Sequence, residues 1–180
     1  MRLLHFLNED INQLISFIER DCKYYLSLLK NKTPFYRGMI VNNDYGKKQV
    51  RDDRKPRGMK QEVANNLNDW LKKNGHTTRN NSVISTSNIY DAINFGNGNV
   101  YFIYPIGRFN YSYVRSTDIN NNDNSGYKKY YIEEYKKLKD FIITNHNINE
   151  AYNKKYEIWF DCKEYYYIDA EKYKDIGKQI

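Results

Sequence analysis

The fold turns on residues 82–107, "SVISTSNIYDAINFGNGNVYFIYPIG". Val83 and Ile84 open this stretch as a strand, because β-branched side chains fit a pleated, half-buried surface. Ser85, Thr86 and Ser87 end that strand, read over 82–87. Residues 89–95 read as a short helix, and 99–107, "NVYFIYPIG", as a second strand rich in aromatic and branched residues. Consecutive small hydroxyls are an unusual end for a buried strand. They either cap the helix that follows, by accepting its free N–H groups, or face a ligand.

Outward from this unit, helices and short strands follow one another. Residues 8–30 place Ile11, Leu14, Ile15, Ile18, Cys22, Tyr25, Leu26 and Leu29 on one helical stripe. "NKTP" stops that helix, and "FYRGMIV", 35–41, reads as a strand. Residues 42–60 are polar, charged and interrupted by Gly and Pro, which predicts a long loop of the functional or disordered kind. Residues 61–74 predict a second helix with Val63, Leu67, Trp70 and Leu71 on one side, and "NGHTTRNN" a turn. "FNYSYV", 109–114, alternates as a strand; 118–126 is a polar loop; 127–146 predicts a helix with Ile132, Tyr135, Leu138 and Ile142 in phase. Residues 147–154 form a short helix or turn, and "YEIWFDC" and "EYYYID" close the chain as strands. No internal repeat or second domain is visible. The class is α+β, with helices in front and short strands behind.

A chain of 180 residues is one domain by length and can bury a core without staples. Two cysteines, Cys22 and Cys162, lie far apart and suggest a reducing, cytoplasmic setting. "MRLLHFLNED" makes a poor signal peptide, and no apolar run is long enough to span a bilayer, so no membrane partner is expected. His5, His76 and His146 lack ligand spacing, so no metal is expected. The net charge of +7 suits nucleic acid or an anionic cofactor, or simply reflects an Asn-, Lys-, Ile- and Tyr-rich composition. The 19 tyrosines, as in "KEYYYID", read as packing surfaces rather than base-stacking ones.

Three signals on three predicted strands carry chemistry. Arg37, in "PFYRGM", is costly in an apolar strand unless it meets a partner, and its planar fork suits phosphate. Gly38 beside it allows close approach to the backbone. Ser85-Thr86-Ser87 is the second signal. Glu157, at the start of an apolar strand, is the third: it either pairs with Lys154 or Lys155 or faces a cleft and does chemistry.

Taken together, an Arg on an early strand, Ser-Thr-Ser ending a middle strand and a Glu on a late strand resemble the Arg–Ser–Glu group of mono-ADP-ribosyltransferases, toxin- or phage-type members included. "FYRGM" is similar to that family's aromatic-Arg-Gly strand. Residues 82–107 are similar to its Ser-Thr-Ser strand, following helix and next strand, and "YEIWFDCKEYYYI" to its Glu strand and hairpin partner. The likeness covers about 33–170, after a helical lead-in over 1–32. It implies two small, packed, mainly antiparallel sheets around a cleft for NAD, the ADP-ribose donor. It further implies that Arg37 holds the NAD phosphates, Gly38 the nicotinamide amide, and Ser85 orients Glu157, with Thr86, Ser87 and Phe95 also lining the site. Glu157 then stabilises the cationic ribose as nicotinamide leaves.

One departure bears on the acceptor. Many members have Glu or Gln two residues before the catalytic Glu, and here Lys155 stands there. A charged Lys cannot accept a proton from a guanidinium, which argues against an arginine acceptor. Lys155 and the loop cations Arg51, Arg54 and Arg57 instead favour a nucleic-acid acceptor on equal terms with a protein one. A toxin role implies an antitoxin or inhibitor as partner. The alternatives are an NAD glycohydrolase, with water as acceptor, and a non-catalytic nucleic-acid-binding module on a degenerate transferase fold.

Overall fold

The computed structural model describes residues 2–52, 54, 60–95, 98–115, 141–176 and 180. Among them lie five helices, α1 (Arg2–Asp21), α2 (Lys23–Leu29), α3 (Gln61–Lys73), α4 (Ile89–Phe95) and α5 (Ile148–Lys154). The strands are β1 (Tyr36–Gly38), β2 (Tyr45–Gln49), β3 (Val83–Ser85), β4 (Val100–Pro105), β5 (Asn110–Val114), β6 (Ile142–Thr144), β7 (Ile158–Asp161) and β8 (Glu164–Asp169). They form an α+β protein with two four-stranded antiparallel sheets. Helices and strands interleave along the chain. The chain divides into two compact units, each assembled from separate segments.

The first unit comprises Met1–Gln49, Ile89–Phe109 and Cys162–Ile180. Its sheet runs β1-β4-β8-β2. The predicted stripe of the leading helix is buried at Ile11, Leu14, Ile18, Cys22, Tyr25 and Leu29. The helix breaks at Cys22, where the carbonyl of Asp21 accepts the N–H of Gly107 and its carboxylate accepts the Tyr166 hydroxyl. Gly107 sits at φ 75°, a left-handed turn geometry that glycine adopts without a Cβ clash. β4 is buried along its whole length, and Tyr165, Tyr166 and Tyr167 of β8 are buried beside it, so the tyrosine run is packing surface. β2 lies inside the predicted 42–60 loop and corrects it. It pairs with β8 over five residues, Tyr45↔Ile168 to Gln49↔Glu164. Its polarity is that of an edge strand: Lys47 and Lys48 put a charge on each face, which discourages pairing with a further chain.

The second unit comprises Val50–Asn88 and Asn110–Asp161, with sheet order β3-β7-β5-β6. Its core joins Leu67 and Leu71 of α3 to Val114, Ile142 and Trp159 of the sheet, with Trp70 and Ile84 packed against them. Where a helix was expected through 146, residues 142–144 form β6 against β5, with Val114 opposite Ile142. Ile142, Ile143 and Thr144 are all β-branched, and pairing on a sheet edge outweighs a helical phase drawn from distant residues. The rest of that expected helix, and the 118–126 loop, lie outside the described residues.

Candidate functional site

β3 and β7 are antiparallel neighbours, with Val83↔Phe160, Ile84↔Trp159 and Ser85↔Ile158. The Ser-Thr-Ser stretch therefore ends one strand beside the point where Glu157 enters the next. The N–H of Val114 donates to the Glu157 carbonyl at 3.1 Å, so both neighbouring strands flank this residue. A left-handed Lys155, φ 59°, closes α5 and turns the chain into β7.

The hydroxyls divide their work. Thr86 Oγ1 accepts the N–H of Asn88 at 3.1 Å, a local turn bond just ahead of α4, and donates to the Lys155 carbonyl at 3.5 Å. Ser87 Oγ donates to the Tyr152 carbonyl at 2.5 Å. Ser85 Oγ is buried and makes no hydrogen bond. The expected Ser85–Glu157 bond is absent, and the sheet register supplies the reason. Directly opposed residues on paired strands point to one face, so Ser85 shares a face with Ile158. Glu157 shares the other with Trp159, whose indole N–H donates to its Oε1 at 2.5 Å.

Glu157 is 3% exposed. Arg79 pairs with it. Arg79 Nε donates to Oε1 at 3.1 Å, and Nη2 lies 3.0 Å from Oε1 and 3.4 Å from Oε2. The guanidinium also lies over the Trp159 ring, 5.7 Å from its centroid. A carboxylate this deep is stable in its charged form only with such compensation. Arg79 is itself anchored. Its N–H donates to Asn68 Oδ1 on α3 at 2.9 Å, and Asn68 Nδ2 holds the Ala64 carbonyl at 2.8 Å. Arg54 Nη1 reaches the Arg79 carbonyl at 3.4 Å.

Arg79, Trp159 and Asn68 were not singled out by sequence. Trp159 was legible in principle, since i and i+2 share a strand face. Arg79 carried a weaker signal, an Arg in an otherwise uncharged, Asn-rich turn leading into β3.

The remaining expected residues fall as follows. Arg51 is exposed, Arg54 half-buried and Lys155 exposed, all in the unit that carries Glu157. Arg57 and the Phe95 side chain lie outside what the structure describes. Arg37 and Gly38 belong to the other unit, on edge strand β1, with Arg37 half-buried opposite Tyr101 and Gly38 opposite Val100. Cys22 and Cys162 are buried and form no disulfide; burial raises the pKa of the Cys22 thiol.

Comparison with protein-family models, with curated proteins and with solved structures gave no match. Among the described residues no helix is long and apolar enough to cross a membrane, and no group of three or more His, Cys, Asp or Glu could hold a metal ion.

Proposed function

We propose that the protein is a mono-ADP-ribosyltransferase that moves ADP-ribose from NAD to a macromolecular acceptor. The observation that carries this reading is a charged-type side chain, Glu157, buried to 3% exposure where β7 begins, on the strand next to the Ser-Thr-Ser end. NAD supplies a ribose whose bond to nicotinamide breaks with both electrons going to the leaving ring nitrogen. The ribose carbon becomes oxocarbenium-like, as in glycoside cleavage. Glu157, held by Arg79 and Trp159, opposes that positive charge from a fixed position. The acceptor nucleophile then bonds to the ribose carbon and loses its proton. Ser85 fits a substrate-contacting role better than an orienting one: a buried hydroxyl without a partner suits a hydrogen bond from a polyhydroxylated, amide-bearing ligand such as NAD.

Arg51, Arg54 and Lys155 put three cations, besides the paired Arg79, on the unit that holds Glu157. That supports a polyanionic acceptor, nucleic acid, over an arginine side chain. The test incubates the protein with NAD labelled in its adenylate half and a cell lysate, then digests with protease or nuclease. Label that survives protease and is released by nuclease is the expected result. Label released only by protease moves the acceptor to protein, and nicotinamide release without macromolecular label makes the protein a glycohydrolase.

A second reading, a nucleic-acid-binding module without turnover, is favoured by one observation. The two-pronged grip of Arg79 on Glu157 can hold a fold together without chemistry. Absence of nicotinamide release would select it.

A further inference from the structure

We infer that Arg79 is the positioning residue for Glu157, the role that the family resemblance gives to Ser85. This rests on the transferase reading above. The geometry has three parts. Arg79 meets both carboxylate oxygens, at 3.1 and 3.4 Å, which fixes the plane of the group as a single hydrogen bond does not. Trp159 donates to Oε1 from two residues along the same strand, so the carboxylate is held from two directions. Ser85, by contrast, shares a sheet face with Ile158, and its hydroxyl makes no hydrogen bond.

Arg79 is placed by the fold rather than by a free side-chain choice. Asn68 on α3 accepts from the backbone N–H of both Arg79, at 2.9 Å, and Asn80, at 3.4 Å. Ser82 Oγ and Arg54 Nη1 approach the Arg79 carbonyl at 3.5 and 3.4 Å. The turn before β3 is thus tied to α3, and through it to the core residues Leu67 and Leu71. The side chain of Arg79 is 14% exposed and that of Glu157 4%, so little water competes for the pair.

On this inference Arg79 acts on the Glu157 carboxylate rather than on the reacting atoms. Its loss misplaces a group that acts in the transition state, and so lowers kcat while leaving KM for NAD nearly unchanged. Lys keeps the charge but loses the second prong, so it restores only part of the rate.

The experiment measures nicotinamide release and thermal unfolding for the parent, Arg79→Gln, Arg79→Lys, Glu157→Gln and the Arg79→Gln/Glu157→Gln double variant. The expected result for Arg79→Gln is a kcat loss of about tenfold or more with KM within about twofold of the parent. Arg79→Lys falls between the two and remains folded should Arg79→Gln not fold. In the Glu157→Gln background the Arg79 change has no further effect on residual rate, because the group it positions is gone. Arg79→Gln or Arg79→Lys turning over at the parental kcat overturns the positioning role and leaves the transferase reading standing. A change confined to KM overturns it as well and makes Arg79 a substrate-binding residue. Nicotinamide release absent from the parent, or unchanged in Glu157→Gln, overturns the transferase reading and the positioning role together.

Discussion

The two units bury different chemistry. Among the described residues, Thr77, Ser82, Ser85, Thr86, Ser112 and Glu157 are the buried polar or charged ones, and all six lie in the unit built on β3, β5, β6 and β7. Although Tyr111, Tyr113, Trp159 and Phe160 are buried in the Glu157 unit, the other unit has none of these polar groups and is closed by more rings. Tyr25, Phe35, Tyr101, Phe102, Tyr104 and the three tyrosines of β8 are all buried there. Tyr25 and Tyr101 make edge contacts with Tyr104 and Tyr167, at 6.2 and 5.5 Å between centroids. Burying a polar group costs stability unless it is hydrogen-bonded. A unit that buries six in and around a small sheet is organised for more than packing. The contrast makes Glu157 the place to test the proposed chemistry in the polar-burying unit, and half-buried Arg37 the candidate to test in the aromatic one.

The largest expected effect breaks the Glu157 unit at its centre. Trp159 is fully buried, packs on Leu67 and Leu71 and donates to Glu157. Trp159→Ala should cost about 3–5 kcal/mol, read from denaturant unfolding. A cost near zero would mean that this unit is not held by its Trp core. Next in size, Arg37→Ala should weaken NAD binding by about tenfold or more in a direct titration, because a charge-assisted contact is lost. Arg37→Lys should restore only part of that affinity. Unchanged affinity in both variants would make the aromatic unit purely structural.

A smaller effect concerns acid. His76 stacks on Trp70 and its Nδ1 lies 2.7 Å from Thr144 Oγ1, which in turn meets Ser112. Burial lowers its pKa below the ordinary 6.5, so the folded chain binds fewer protons here than the unfolded chain. Its contribution to stability is therefore fully present above about pH 6.5 and declines as pH falls through the folded pKa. Melting temperature followed from pH 8 to 5 should fall toward acid, and less so in His76→Asn. Equal slopes would exclude His76 as a source. The smallest effect lies in the aromatic unit: the Tyr104 hydroxyl is buried without a hydrogen bond. Tyr104→Phe should leave stability within about 1 kcal/mol of the parent or raise it, since an unsatisfied polar atom is removed. A clear loss would show that the hydroxyl has a partner after all.

Residues 82–107 were legible because pattern and local chemistry agree. The helix at 89–95 and the flanking strands lie where branched residues, hydroxyls and helical spacing put them. The final strand matched too, because "EYYYID" is a short run of aromatic and branched residues, and its four central residues are buried. β2 was hidden by its own polarity, since Lys47 and Lys48 look like loop residues until Tyr165 and Tyr166 are seen opposite them. β6 was hidden by a helical phase that Ile142 happened to satisfy. Glu157 could be picked out from sequence as a carboxylate that needed a partner. That partner could not, because Arg79 lies 78 positions away in a turn and meets Glu157 only through tertiary packing. The face on which Ser85 points follows from strand register, which no short motif encodes.

The central claim is that the Glu157 carboxylate drives cleavage of the nicotinamide–ribose bond. The most direct measurement is nicotinamide released from NAD by the parent chain and by Glu157→Gln, with melting temperatures recorded on the same samples. The account predicts release by the parent and a loss of about 10²–10³-fold in Glu157→Gln, in line with removing one preorganised electrostatic contact at a transition state, in a protein that still unfolds cooperatively. A parent that releases no nicotinamide, or a folded Glu157→Gln variant that releases it at the parental rate, would contradict the account.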